Sequence, residues 1–260
     1  MTPDPAALLD LAVRAARAAG QELLGRYGDV QGLATKSSAT DPVTDADRAS
    51  ERLLTEMITA ERPQDGLLGE EGAARPSDSG LIWVVDPLDG TVNYLYELGN
   101  WAVSVAVEDR DGAVVGVVHD PVAPRTFTAV RGGGARLDGG TLRVNDPVPM
   151  HRALVGTGFG YLPERRATQG ALVARLLPQI RDIRRYGSAA LDLCAVAAGH
   201  LDAYFEEGVQ RWDVAAGGLV AREAGAVMTP CTPTGIPTGW LVAGATLHPE
   251  LEQALTAPIG

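Results

Sequence analysis

Cysteine is scarce: only Cys194 and Cys231 occur among 260 residues. One sits in a helical apolar run and the other in a Pro/Thr loop, which argues against a disulfide-built scaffold. A reduced, cytoplasmic setting is the simplest reading. Basic runs are also missing, with no stretch of Lys or Arg longer than a pair and a formal net charge of -11. Nucleic acid and anionic membrane surfaces, which are held through Lys and Arg patches, are therefore poor main partners. The opening "MTPDPAALLDLAVRAARAAG" carries Asp4 and Asp10 and has no basic start before an apolar core, so it reads as neither a signal peptide nor a membrane span. No Ser/His/Asp order or reactive cysteine setting can be argued, and His119, His151, His200 and His248 are scattered as surface or packing residues. Internal repeats, heptads and low-complexity tracts are absent.

What is present is ordinary in bulk, with 45% hydrophobic and 21% charged residues, and long enough for one large core or two modest units. Leu8, Leu11, Ala12, Ala15, Ala19 and Leu23 recur at helical spacing after Asp4 and Pro5, with Gly28 as a stop. A second amphipathic helix follows Thr44, with Ala46, Ala49, Leu53 and Met57 on one face. Asp45 and Asp47 in its first turn are explained by helix-dipole compensation alone. From residue 81 the period shortens through "LIWVV", "WAVSVAV", "AVVGVV" and "RTFTAV", which predicts a mostly antiparallel sheet covered by the two helices.

After about residue 150 strands and helices alternate. "ALVGTG", a helix through Leu172 and Leu176, "DIRRY", a helix Ser188 to Ala198, "LDAYFE", a helix from Asp213 to Ala224 and "GWLVAG" follow in order, favouring an α/β half. The expected division is an N-terminal α+β half over 1–148 and a C-terminal α/β half over 149–260, forming one compact unit. "TPCTPTGIPTG" reads as a surface connection.

The chemistry concentrates in "VVDPLDGTVNY", residues 84–94, where an apolar run meets Asp86 and Asp89 with Pro87 between them. Two carboxylates that close repel unless a proton or cation intervenes. Gly90 bares the following amides and Thr91 adds a hydroxyl, a donor set suited to a hard cation such as Mg²⁺. The string alone is equally compatible with a turn. Glu70 and Glu71 in "LLGEEG" and Asp213 in "RWDVAAGG" each have a plain reading, as a solvated loop and an N-cap. Taken with Asp86 and Asp89 they resemble one site. A haloacid-dehalogenase-type nucleophile is excluded, because the second aspartate of that motif would fall at Pro87.

"DPLDGTVNY" and "WDVAAG", supported by "LLGEEG", "TDPVTDAD", "GSAALDL" and "LDAYFEEG", together resemble the inositol monophosphatase family of lithium-sensitive, magnesium-dependent phosphatases over nearly the whole chain. The resemblance implies a five-layer α/β/α/β/α sandwich of the inositol monophosphatase / fructose-1,6-bisphosphatase type, with the site between the halves, and a homodimer. It assigns Glu70, Asp86, the Leu88 carbonyl, Asp89 and Asp213 as ligands for Mg²⁺, two or three per subunit with Mn²⁺ able to substitute. Asp47 falls near a weaker third site. Glu70 and Thr91 match the pair that orients and deprotonates the attacking water, and the Gly90 and Thr91 amides match the phosphate cradle. Asp89, Asp213, Gly187, Ser188 and Ala189 line the substrate side, with Arg184, Glu206 and Lys36 reaching hydroxyls or phosphate.

The implied activity is hydrolysis of a phosphate monoester without a covalent intermediate. Inositol-1-phosphate is the leading substrate, with histidinol phosphate or fructose-1,6-bisphosphate as alternatives. A non-catalytic binding or regulatory role on the same fold is the reading from a different class. An acidic protein that binds phosphate must reverse its local charge, and bound cations do that. Arg211, before Trp212, reads as solvent-facing.

Overall fold

The alanine-rich N-terminal period forms helix α1 (Pro5–Leu24), capped by Asp4, whose carboxylate accepts from the Ala6 amide at 3.0 Å. It ends earlier than expected. Gly25 rather than Gly28 caps it, donating to the Gln21 carbonyl, and Gly28 lies further along the turn with φ +86°. This computed structural model describes residues 4–29, 32–35 and 42–257. Lys36 lies outside the described residues.

After a short ribbon, β1 (Ala34–Thr35) with β2 (Pro42–Val43), helix α2 (Asp45–Glu61) starts at Thr44 with a reciprocal cap. The Thr44 hydroxyl accepts from the Ala46 and Asp47 amides, and the Asp47 carboxylate accepts from the Thr44 amide at 2.8 Å. Of the expected face of α2, Ala46 and Ala49 are buried, but the C-terminal part is turned by one residue. Leu54 and Ile58 are fully buried, whereas Leu53 and Met57 are only half-buried. Asp47, Ser50 and Glu51 share the inward face, which hydrophobicity alone does not indicate.

The first sheet follows: β3 (Gly66–Gly69), β4 (Ala74–Arg75), β5 (Ile82–Asp89), the short helix α3 (Thr91–Leu95), then β6 (Ala102–Asp109), β7 (Gly112–Asp120), β8 (Arg125–Val130), β9 (Gly134–Leu137) and β10 (Gly140–Thr141). Its eight strands run in the order β10-β9-β8-β7-β6-β5-β3-β4. Only β3 and β5 pair in parallel, so the expectation of a mostly antiparallel sheet holds. The second half contributes β11 (Leu154–Thr157), α4 (Pro163–Leu176), β12 (Asp182–Arg184), α5 (Ala189–Ala197), β13 (Ala203–Glu207), α6 (Arg211–Glu223), β14 (Val227–Pro230), β15 (Gly239–Ala243) and α7 (His248–Thr256). Its sheet has the order β12-β11-β13-β15-β14, parallel across β12, β11 and β13 and antiparallel beyond.

Among the described residues four apolar cores define five layers. Helices α1 and α2 cover one face of the first sheet, through residues such as Leu11, Leu54, Trp83 and Val105. The other face packs on α5 and α6, through Val84, Ala106, Ala190 and Ala216. Those same helices meet the second sheet through Leu193, Tyr204, Ala221 and Val242. Helices α4 and α7 close the far side, through Leu172, Phe205, Leu241 and Leu251. Small residues let the middle layer sit between two sheets. A Cβ on Gly116 of β7 would lie 2.8 Å from the Ala216 carbonyl oxygen of α6. No helix among the described residues is long and apolar enough to cross a membrane.

The rotated face of α2 gives a paired test. Leu54→Ala should lower unfolding free energy in urea by about 3 kcal/mol, the scale for a fully buried leucine. Leu53→Ala should cost less than half as much.

Candidate active site

Residues three apart on a regular strand point to opposite faces, so Asp86 and Asp89 need an irregularity to act together. The β5–β6 ladder provides one: Asp86 pairs with Ser104 and Asp89 with Ala102, a register shift that places an extra residue on β5 at Pro87–Leu88. Strand β5 therefore runs through to Asp89 instead of ending at Val85, and its proline occupies the bulge, where no ladder donor is needed. The Ser50 hydroxyl of α2 donates to the Pro87 carbonyl at 2.8 Å, and the Leu88 amide donates to Asp86 Oδ1 at 3.0 Å. Gly90 follows at φ +97°, and a Cβ there would lie 3.0 Å from the Asn100 carbonyl. Both conformation and space require glycine at that turn.

Thr91 opens α3 and faces α2. Its hydroxyl lies 3.2 Å from both Asp47 Oδ1 and the Leu88 carbonyl. A carboxylate is the stronger acceptor, so the Thr91 proton points to Asp47 and a hydroxyl lone pair is left for the cavity. Asp47 is held in turn by the Thr44 hydroxyl at 2.6 Å and the Thr44 amide. Behind α3, Tyr94 packs edge-on to Trp101 with ring centroids 5.1 Å apart, and its hydroxyl donates to the Leu23 carbonyl at 2.7 Å. The segment is thereby pinned to α1.

The two halves meet at Asp89. Its Oδ2 accepts from the Ser188 hydroxyl at 2.6 Å and the Ala190 amide at 2.7 Å, at the start of α5, where the helix dipole favours an anion. Asn93 adds a second tie, donating at 2.7 Å to both the Asn100 and Tyr186 carbonyls. On the far wall, α6 begins at Arg211, so Asp213 is its third residue and not its N-cap; Oδ2 accepts from the Gln210 amide at 2.6 Å. Ser104 of β6 donates to the Trp212 carbonyl at 3.2 Å, docking the start of α6 on the first sheet. Arg211 is exposed, as expected, and also bonds to Glu108 of β6.

These elements enclose a cavity of about 510 Å³ into which Glu70, Asp86, Asp89 and Asp213 all face, along with Leu88, Gly90 and Thr91. Burial, then the charges of Glu70, Asp89 and Asp213, push the Asp86 carboxyl well above the usual range, and Glu70 is within hydrogen-bonding reach of it. Burial and Asp89 do the same to Asp213, against the Gln210 amide. Asp89 rises less, to about 6, because the bonds from Ser188 and Ala190 oppose the effect of burial. The group thus carries more negative charge than its surroundings support, and a cation would relieve the repulsion. Among the described residues no three His, Cys, Asp or Glu side chains are already drawn together around a metal-sized space. One oxygen of Asp89 is bonded at the start of α5 and one of Asp213 at the start of its own helix α6, while the hard oxygen donors fit a divalent ion in chemistry.

The opposite wall comes from the second half: Gly187, Ala189 and Glu206, with Phe159, Tyr161, Arg165, Arg185 and Ile236. Glu206 accepts from the Tyr204 hydroxyl at 2.8 Å. Burial raises its carboxyl to about 7, opposed by that bond and by the charge of Arg185. Of the residues expected from sequence, Asp47 and Ser188 stand behind the wall, acting through Thr91 and Asp89. Arg184 is absent from the cavity. It lies on β12 with its guanidinium bonded to Asp182, while its neighbour Arg185 lines the space. Alternation along an extended segment decides which of two adjacent arginines turns inward, and no sequence signal distinguished them. Ile236, within the expected surface connection, is buried against the cavity, and Cys231 of the same connection is buried in the far core.

Comparison with known proteins shows the family and the fold. The sequence model of the inositol monophosphatase family matches residues 4–258. "Inositol-1-monophosphatase SuhB" of Mycobacterium tuberculosis is 43% identical over 276 residues, covering 98% of this chain and 94% of that one. "Nus factor SuhB" of Escherichia coli is 39% identical over 255 residues, covering 96% and 94%. Among solved structures, the extragenic suppressor protein SuhB of Bartonella henselae superposes with a TM-score of 0.89 at 35% identity, covering 96% of this chain and 99% of that one. A Thermotoga maritima IMPase gives 0.86 at 28% identity, covering 95% and 96%. By sequence over nearly its full length, and by fold, the chain belongs to the inositol monophosphatase family.

Proposed function

We propose that the chain hydrolyses a phosphate monoester of a polyol, with inositol-1-phosphate as the first candidate, in a Mg²⁺-dependent reaction. The observation that carries this reading is the gathering of Glu70, Asp86, Asp89 and Asp213 from both halves onto one cavity, beside a hydroxyl backed by a buried carboxylate. Those acids and the Leu88 carbonyl would hold the cations. Magnesium there supplies positive charge for the phosphoryl oxygens and makes water more acidic.

The chain's own groups do the rest. Thr91, its proton committed to Asp47, offers a lone pair to one proton of the attacking water, and Glu70 takes or steers the other. The Gly90 and Thr91 amides hold phosphoryl oxygens where charge accumulates. Gly187, Ala189 and Glu206 bound the alcohol side. With its carboxyl near 7, Glu206 can donate to or accept from a ring hydroxyl. Histidinol phosphate and fructose-1,6-bisphosphate remain the competing substrates. The names of the relatives favour one second reading: proteins called "Nus factor SuhB" lie at 42% and 39% identity, which supports a binding role that does not depend on turnover.

We further infer a homodimer. Tyr96, Leu98 and Val122 are exposed apolar side chains, and Gly99 lies against Val122, so the three fall in one neighbourhood.

Phosphate release from inositol-1-phosphate, histidinol phosphate and fructose-1,6-bisphosphate, with and without Mg²⁺, is the primary test; no release from any of them would overturn the proposal. Asp89→Asn should keep the fold and reduce turnover at least about a hundredfold, the scale for losing one preorganised electrostatic group. A purely binding function would survive that change. Thr91→Val should lower kcat by roughly 10²-fold or more with little change in KM, as expected for loss of a proton acceptor. Light scattering should give twice the chain mass, falling to the monomer mass in Leu98→Asp.

A further inference from the structure

Glu51 is an acid buried on the inward face of α2, outside the cavity wall. Its carboxyl group accepts two backbone hydrogen bonds, from the Glu71 amide at 2.8 Å and the Ala73 amide at 2.9 Å. Both amides belong to the turn between β3 and β4, which the Gly69 amide closes onto the Ala73 carbonyl at 2.7 Å. That turn carries Glu70 into the cavity. Its approach to Glu51 is so close that a Cβ on Gly69 would fall 2.2 Å from Glu51 Oε2. Sequence position 69 is therefore glycine because the carboxyl group occupies the side-chain space.

The contact belongs to a stripe. On α2, Asp47, Ser50 and Glu51 share the buried face, at the i, i+3, i+4 spacing that places side chains together. Asp47 accepts from the Thr91 hydroxyl, Ser50 donates to the Pro87 carbonyl inside the bulge, and Glu51 grips the Glu70 turn. One rigid helix thus fixes the β5–α3 segment, at Pro87 and Thr91, relative to the Glu70 turn. Buried backbone amides need acceptors. Without Glu51, the Glu71 and Ala73 amides lose theirs, and the turn is free to reorient.

We propose that Glu51 is a positioning residue that sets the Glu70 carboxylate for cation binding by clamping the β3–β4 turn. The inference rests on the phosphatase reading only in taking Glu70 as a cation ligand. Glu51→Gln keeps the size of the side chain but turns an amino group toward a backbone N–H. In that variant Mn²⁺ binding, titrated without substrate, should weaken by about 10- to 100-fold, the scale for a group supporting a metal ligand from behind. Exchange of the Glu71 and Ala73 amides should quicken, with strands β6 and β7 unchanged. The kcat should fall while KM for the phosphate ester stays within about twofold, since Glu51 touches no substrate.

A folded Glu51→Gln protein that binds Mn²⁺ within about twofold of the parent would overturn the proposal, since the expected shift is tenfold or more. Should the parent protein itself bind no Mn²⁺, the cation-site reading falls, and this inference falls with it. If Glu51→Gln does not fold, amide exchange in the unaltered protein decides: protection at Glu71 and Ala73 equal to that of β3 supports the clamp, and exchange typical of an open turn refutes it.

Discussion

Mutual repulsion among buried carboxylates is the constraint around which this molecule is arranged. Asp86, Asp89 and Asp213 all carry carboxyl groups raised by burial, and each sits within the field of the others. Such a group persists only where backbone donors and rigid elements hold it. The bulge in β5 turns Asp86 and Asp89 to the same side. The start of α5 receives Asp89, and the first turn of α6 receives Asp213. The site is therefore a place where strained electrostatics are fixed by ordinary secondary structure.

The middle helical layer links this site to the fold. Helices α5 and α6 contact both sheets, so the cavity at their N-terminal ends inherits walls from each half. Small side chains make that possible, as at Gly116, where β7 approaches the α6 backbone. Beside the apolar core between the first sheet and these helices, polar contacts cross the boundary: Asp89 to Ser188, Asn93 to Tyr186, Ser104 to Trp212 and Arg211 to Glu108. Their carboxyls, amides and carbonyls satisfy one another and leave the cavity wall intact.

Helix α2 shows how polar residues can mislead a reading of periodicity. Counting apolar positions places Leu53 and Met57 inward, yet the buried stripe runs through Asp47, Ser50, Glu51, Leu54 and Ile58. Three of those five are polar and would be assigned to solvent on composition alone. Each is buried because a distant segment supplies its partner: Thr91, Pro87 and the Glu70 turn. "TPCTPTGIPTG" does form a largely exposed connection between β14 and β15, but Cys231 and Ile236 within it turn inward.

By itself the sequence determined the element types, the mostly antiparallel first sheet, the α/β alternation of the second half and the acids around "DPLDG", because those follow from local periodicity, capping and spacing. Only the tertiary structure decided that Arg185 and not Arg184 lines the cavity, that Asp213 lies inside α6, and that Glu51 holds the Glu70 turn. Those outcomes depend on which segments, tens of residues apart, come to share one buried face, and no local pattern along the chain encodes that choice.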